Sequence, residues 1–341
     1  MRSLRPLKTT FALCLLVLTA PALVAAGRPV LEPPSVSTFS IVAIDPKNGD
    51  LGVAVASRYF SVGSVVPWAM AGVGAIATQA NVNVGYGPQG LDLLRQGLTA
   101  PQVLAKLLET DTFPGKDGRQ IAIVDAKGNV AAYTGPKAPN WAGDRHGKTW
   151  SAQGNILVGA KVPEAMGEAF ESTEGELAEK LYAALQAGDE AGGDSRGHQS
   201  ASILVVRKQG GRNINNDRYV YVNVDDNPNP FPELRRLLDL NLSYLYQDAA
   251  DRLLGKGDKA GALTAAQKAA HYTPTDPDSS TTLGLLEYLN GDKETALRVL
   301  RRAQQRNPGF RKQLESALAD EKSLKPLADD KEFLKRLFPE G

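Results

Sequence analysis

The stretch "VSTFSIVAIDPKNGDLGVAVAS", Val36 to Ser57, decides how the chain is read. Two short apolar runs, "TFSIVAID" and "LGVAVAS", flank "PKNG", where proline and glycine punctuate the backbone, and that pattern predicts a β-hairpin. Its first strand opens on Thr38, behind 37 residues with no packing pattern of a domain. Thr38 is either a good strand residue or the intended first residue of the working protein.

The N-terminal segment bears on that choice. Arg2, Arg5 and Lys8 make a basic start, Phe11 to Leu18 is an apolar-rich run, and Pro21 and "LVAAG" follow, with Val24 and Ala26 at cleavage-site positions. Residues 1–26 read as a secretory signal peptide. The alternative is a retained membrane anchor, but the run is short of the ~20 residues a spanning helix needs. A periplasmic or secreted protein is therefore expected, with no membrane contact after signal removal. Cys14 lies inside the run, so cleavage after Ala26 would leave no cysteine and exclude disulfides, thiolate zinc sites and a cysteine nucleophile. Residues 27–37, "GRPVLEPPSVS", read as a spacer or propeptide that is open to proteolysis.

About 315 residues remain, enough for two domains. Lysine and arginine number 39 against 38 acidic residues, a balance that argues against nucleic acid as a partner. Composition changes near "VDDNPNPFPEL" (224–234), where three prolines fall close together, so the domains are expected at 38–235 and 236–341.

In the first half, "GVGAIATQA" (72–80), "RQIAIVDAKGNVAAYTG" (119–135, a second hairpin), "WSAQGNILVG" (150–159), "SASILVVRK" (200–208) and "DRYVYVNVD" (217–225) read as further strands. Their apolar runs are often continuous, which predicts strands covered on both faces. Two helical blocks interrupt them. One carries Leu91, Leu94 and Leu98, then a capping-box-like "TAPQ" from Thr99; the other carries Val162, Met166 and Phe170, then Leu177, Leu181 and Leu185 after a break at Gly175. The second half holds an internal repeat. "GDKAGAL" at Gly257 and "GDKETAL" at Gly291 are 34 residues apart, and Ala269 and Pro274 match Ala303 and Pro308 at that offset. A 34-residue helix-pair unit with small contact residues resembles the tetratricopeptide repeat. Two units are fewer than a free-standing array needs, so this half should lean on the first half or pair with another subunit or a peptide.

Standard catalytic motifs are scarce. The three histidines are His146, His198 and His271, and nothing like G-x-S-x-G accompanies them. Two scattered histidines in the first half do not make a zinc site, and no metal is expected. "GYGPQG" (Gly85 to Gly90) fits G-x-G-x-x-G, but Pro88 interrupts it and no acidic residue closes a following strand ~20 residues on. A tight strand-to-helix turn is the reading, with no cofactor. Asp225 and Asp226 read as turn caps, since calcium wants about 6–8 oxygens.

A free N-terminal threonine needs none of these. Its hydroxyl attacks a carbonyl and its own α-amine, titrating near pH ~7.7–8.0, takes the proton. While the bond to Ser37 survives, that nitrogen is a non-basic amide. At the level of residues alone the nucleophile and the plain strand opener both stand.

The runs "TFSIVAIDPKNGDLGVAVAS", "VVPWAMAGVGAIATQA", "YGPQGLDLL", "WSAQGNIL", "GGDSRGHQSASILVV" and "NDRYVYVNVDDNPNPFPELRRLL" resemble the family called domain of unknown function 1028, from Thr38 to about Leu238. That family is regarded as similar to the N-terminal nucleophile hydrolases. The resemblance implies an α+β fold, a four-layer α-β-β-α sandwich, here followed by a small all-α domain. Usual members begin Met-Thr-Phe-Ser; here an export signal and spacer replace the methionine, so exposing Thr38 requires cleavage after Ser37.

Other residues invite roles around Thr38. Ser57 and Arg58 end the second strand, and the arginine fork suits a substrate carboxylate as well as solvent. Gln79, Asn81 and Asn155 lie near strand ends, as oxyanion donors or as partners of stray backbone groups. Asp194, Arg196, His198 and Gln199 crowd the Gly-rich "GGDSRGHQSAS", where Asp194 would orient the α-amine or Arg196, unless the loop is an ordinary turn. The expected activity is hydrolysis of an amide or peptide bond in a small substrate, with Thr38 as nucleophile. The alternative is a non-catalytic binding or scaffold protein that uses the helical tail. A hydrolase using Ser37 or Ser57 is a third reading.

Overall fold

The computed structural model describes residues 38–339; the signal-peptide and spacer expectations, residues 1–37, lie outside the described residues. β1 (Thr38–Ile44) and β2 (Leu51–Ser57) form the expected hairpin, in register from Thr38 opposite Ser57 to Ile44 opposite Leu51. β3 (Pro67–Met70) and β4 (Gly74–Ala80) follow, then α1 (Tyr86–Arg95) and α2 (Ala100–Thr110). β5 (Arg119–Asp125) and β6 (Val130–Thr134) make the second expected hairpin. β7 (Trp141–His146) and β8 (Trp150–Leu157) lead into α3 (Lys161–Ser172) and α4 (Leu177–Glu190), and β9 (Ser200–Val206) and β10 (Arg218–Val224) close the sandwich.

β3 and β7 are not among the strands that composition predicts. Both are sheet edges: one sheet runs β10-β9-β2-β1-β8-β7 and the other β3-β4-β5-β6. An edge strand is only half covered, so β7 ("WAGDRH") and the four-residue β3 ("PWAM") lack the continuous apolar run that marks the inner strands. The inner strands β1, β2, β4, β5 and β9 are buried along their whole length.

Side-chain alternation then sorts the layers. Phe39, Ile41 and Ala43 of β1 point to one face and meet Met166 and Phe170 of α3 and Leu181 and Leu185 of α4. Val42 and Ile44 point to the other face and meet Ala75 and Ala77 of β4 and Ala122 and Val124 of β5 across the sandwich. Ile76, Ile121 and Ile123 turn outward under Leu91, Leu94, Val103 and Leu107 of α1 and α2. The order is α-β-β-α. The capping box of α2 forms, with the Thr99 N–H donating to Gln102 Oε1 at 2.9 Å.

α5 (Pro230–Gly255) begins earlier than the change of composition implies. Pro230 and Pro232 fall in its first turn, where a missing N–H costs nothing, so the prolines start a helix rather than mark a linker. The helix passes straight through residues 235–236. Its Leu234, Leu238, Leu242 and Leu245 belong to the core beneath α3 and α4, and Ala250, further along, packs on α6 (Lys259–Tyr272). α7 (Pro277–Leu289) and α8 (Lys293–Arg306) repeat the pairing, and α9 (Phe310–Asp320), α10 (Lys325–Ala328) and α11 (Lys331–Leu337) cover its end. The 34-residue offset is visible in the caps: Asp258 accepts from the Gly261 N–H and Asp292 from the Thr295 N–H, each after a left-handed glycine, Gly257 and Gly291. Arg207 of the sandwich pairs with Asp50 and with Glu176, and the Glu176 carboxylate in turn accepts from the Tyr246 hydroxyl of α5. Among the described residues no helix is long and apolar enough to cross a membrane.

Candidate active site

The space between the sheets is apolar at one end and polar at the other. Strands β1, β5 and β9 begin at the polar end, and β2, β4, β6 and β8 finish there. The alternation that sends Val42 and Val53 inward sends Thr38, Ser40, Ser57, Gln79, Gln120, Gln153, Asn155 and Ser200 to the same space, all of them buried.

Thr38 stands at the head of β1 between Ser57 on β2 and Asn155 on β8, its register partners. Its side chain is fully buried, and its Oγ1 donates to Ser57 Oγ at 3.3 Å. Beneath it a chain of side chains links the sheets. Ser40 Oγ donates to Gln79 Oε1 at 2.6 Å and accepts from Gln153 Nε2 at 2.6 Å. Gln79 Nε2 donates to Gln120 Oε1 at 2.8 Å and reaches the Thr38 carbonyl at 3.4 Å. Asn155 Nδ2 donates to the same Gln120 oxygen at 3.0 Å, and Gln120 Nε2 donates to Thr134 Oγ1 and the Gly154 carbonyl. Side chains linked in this way restrain one another's rotamers, which a positioned nucleophile requires. Thr38, Ser57, Gln79 and Asn155 are brought together as the sequence predicts. Ser40, Gln120 and Gln153 complete the set, and sequence reasoning missed them.

The rim is built from the predicted loop. Asp194, with a nearly fully buried carboxylate, accepts from the Arg58 N–H at 2.9 Å and from Arg196 through its N–H and its guanidinium. Burial alone would raise the Asp194 pKa, but the Arg196 guanidinium and the N–H groups of Arg58 and Arg196 outweigh it and hold the carboxyl below its usual value. Arg58 Nη1 donates to the Arg196 carbonyl at 2.6 Å, and Arg196 Nη2 donates to the Arg58 carbonyl at 3.2 Å. Asp194 therefore orients Arg196, the second of its two expected targets. The Gln199 N–H donates to the Ser57 carbonyl at 3.1 Å, and its side chain bonds Asp226. The Asn81 side chain lies against Gly118, where an added Cβ would come within 2.5 Å of its Nδ2; its carbonyl accepts from Arg119 Nη1 at 2.6 Å, and its own N–H donates to the Gly118 carbonyl.

Two backbone positions beside the site are strained. Ala80 follows Gln79 with φ +64°, and Ile156 follows Asn155 with φ +52°. A left-handed β-branched residue is rare, and such strain concentrates at functional sites.

The remaining motifs resolve into packing. "GYGPQG" opens α1, and a Cβ on Gly87 would lie 2.2 Å from Trp68 Cδ2, so this glycine admits a tryptophan. His146 is exposed at the end of β7 near Asp144, His271 packs on Tyr272 in the tail, and His198 pairs with Asp189 of α4 at 2.6 Å. Asp225 accepts from Ser61 Oγ at 2.8 Å, a contact with a distant segment. Asp111, just after α2, accepts from Arg119 Nε at 3.0 Å and Tyr86 OH at 2.7 Å, a buried trio. Among the described residues no group of three or more His, Cys, Asp or Glu is placed to hold a metal ion.

Residues 38–234 match the family described as "Family of unknown function (DUF1028)". The chain belongs to the DUF1028 family. Among solved structures this DUF1028 chain is similar to the crystal structure of protein SPO2555 from Silicibacter pomeroyi, also assigned to DUF1028. The two are 32% identical, with a TM-score of 0.53 over 60% of this chain and 88% of that one. No curated protein matches the chain. The DUF1028 match spans the four-layer sandwich and the first turn of α5, and the repeat-bearing helices lie beyond it.

Proposed function

We propose that this DUF1028 protein is an exported hydrolase that cleaves an amide or peptide bond in a small substrate, with Thr38 as an N-terminal nucleophile. The observation that carries the reading is the setting of Thr38. It heads a central strand of a four-layer sandwich, with its hydroxyl 3.3 Å from Ser57 Oγ and over a fixed network of side-chain amides.

Scission of the Ser37–Thr38 bond turns an amide nitrogen into an amine that titrates near ~7.7–8.0. Thr38 Oγ1 then attacks the substrate carbonyl carbon and gives its proton to that amine. The C–N bond breaks, the leaving amine takes the proton, and water hydrolyses the remaining ester. Asn155 Nδ2, on the register partner of Thr38, is the amide suited to the developing oxyanion, while Gln79 Nε2, spanning the Gln120 oxygen and the Thr38 carbonyl, holds the strand head in place. The helical tail, with its 34-residue offset, is read as tetratricopeptide-like and as the surface for a peptide or second subunit.

Intact mass and N-terminal sequencing of protein from its native host test the proposal. A chain that begins at Thr38 and loses amide hydrolysis in Thr38→Ala supports it. A chain with Ser37 still attached in competent molecules overturns it and leaves a scaffold role.

A further inference from the structure

Among the described residues, the rim next to Thr38 holds a cation, Arg58, without an ion-pair partner. Asp194 is committed to Arg196, and among the described residues no carboxylate lies within ion-pair distance of Arg58. Arg58 is nonetheless not a free surface side chain. Its N–H is fixed by Asp194, its carbonyl by Arg196 Nη2, and its Nη1 by the Arg196 carbonyl at 2.6 Å. Side-chain entropy, the usual cost of using an arginine, is thus already reduced. The Nε and Nη2 donors have no partner among the described residues, although the guanidinium is anchored. Asp225 and Asp226 are exposed and occupied by Ser61 and Gln199, where solvent screens them, and Asp189 is paired with His198.

Position supplies the second half of the argument. Ser57 touches Thr38 Oγ1, and the Arg58 Cα lies about 3.8 Å further along the chain. The exposed Arg58 guanidinium, tied to the Arg196 carbonyl on the loop beside Ser57, suits a planar oxyanion on the same small molecule.

We propose that Arg58 binds a carboxylate of the substrate, so that the amide cleaved belongs to an N-acylated amino acid or a molecule of that charge pattern. This rests on the hydrolase reading for the reaction, but not for the binding.

The test uses the chain as its host leaves it, with its terminus established by mass, and two probes that differ in one group, N-benzoylglycine and N-benzoylglycinamide. Binding is followed by calorimetry and cleavage by release of the amine. N-benzoylglycine should bind more tightly, and Arg58→Gln should weaken it about 10–100-fold, the loss of a charge-assisted pair of hydrogen bonds, while leaving the glycinamide unchanged. Arg58→Lys, which keeps the charge without the fork, should fall between, and unaltered thermal unfolding of both variants excludes a folding defect. Selective binding without cleavage leaves the carboxylate site standing and sinks the hydrolase. Cleavage without preference for the carboxylate, insensitive to Arg58→Gln, does the reverse. Failure of both probes to bind overturns the site.

Discussion

Asn155 Nδ2 on the six-stranded sheet donates to Gln120 Oε1 on the four-stranded sheet at 3.0 Å, and Gln79 Nε2 meets the same oxygen at 2.8 Å. One glutamine therefore sets the position of both amides nearest Thr38. Gln120→Leu keeps the approximate volume but strands the donors of Gln79 and Asn155 and the Gly154 carbonyl. Each buried polar group left without a partner costs ~1–3 kcal/mol, so a loss of about 3 kcal/mol is expected in urea unfolding. A variant as stable as the parent would show that the network is not what fixes these side chains.

Ala80 and Gln79 make a different case. The left-handed φ of Ala80 costs energy that glycine does not incur, and an alanine gives little area to lose. Ala80→Gly should raise stability by up to about 1 kcal/mol, read as a higher Tm, and should lower hydrolysis if the strain holds Gln79 in place. Unchanged stability would remove the claim of strain.

The tail is joined to the sandwich by α5. Leu242 is fully buried among residues of the sandwich core, so Leu242→Ala should cost about 2–5 kcal/mol. Ending the chain at Gly255 keeps these leucines, whereas ending it after Leu238 removes Leu242 and Leu245. Circular dichroism during denaturation should find the first cut tolerated and the second destabilising. Equal stability of the two would place the boundary within α5, at Leu238.

Acid should act through Asp111 and Asp194. Burial raises both pKa values, but hydrogen bonds from Arg119 and Tyr86 in one case, and from Arg196 and N–H groups in the other, bring them below the usual carboxylate value. A depressed folded pKa contributes stability that is fully present above the unfolded value of ~3.9 and lost as pH falls through the folded one. Unfolding free energy should therefore drop below pH ~4. Asp111→Asn should weaken that dependence and leave the Arg119 charge buried and unpaired, at about 3–5 kcal/mol at neutral pH. A parallel pH profile in the variant would rule this pair out as its source.

The sequence by itself determined the inner strands, both helical layers and the 34-residue repeat, because each rests on local periodicity and a chain-local cap. It also held a signal for the site: polar residues at every second position in "TFS" and "SAQGN" share one face of their strands. What that face meets depends on contacts as far apart as Ser40 with Gln153 and Gln120 with Asn155, which no local pattern encodes. The edge strands β3 and β7, the continuity of α5 and the hydrogen-bonded rim of Arg58, Asp194 and Arg196 were decided in the same way. Each exists because distant segments supply the partners that bury a backbone or balance a charge, and only the folded arrangement brings those partners within reach.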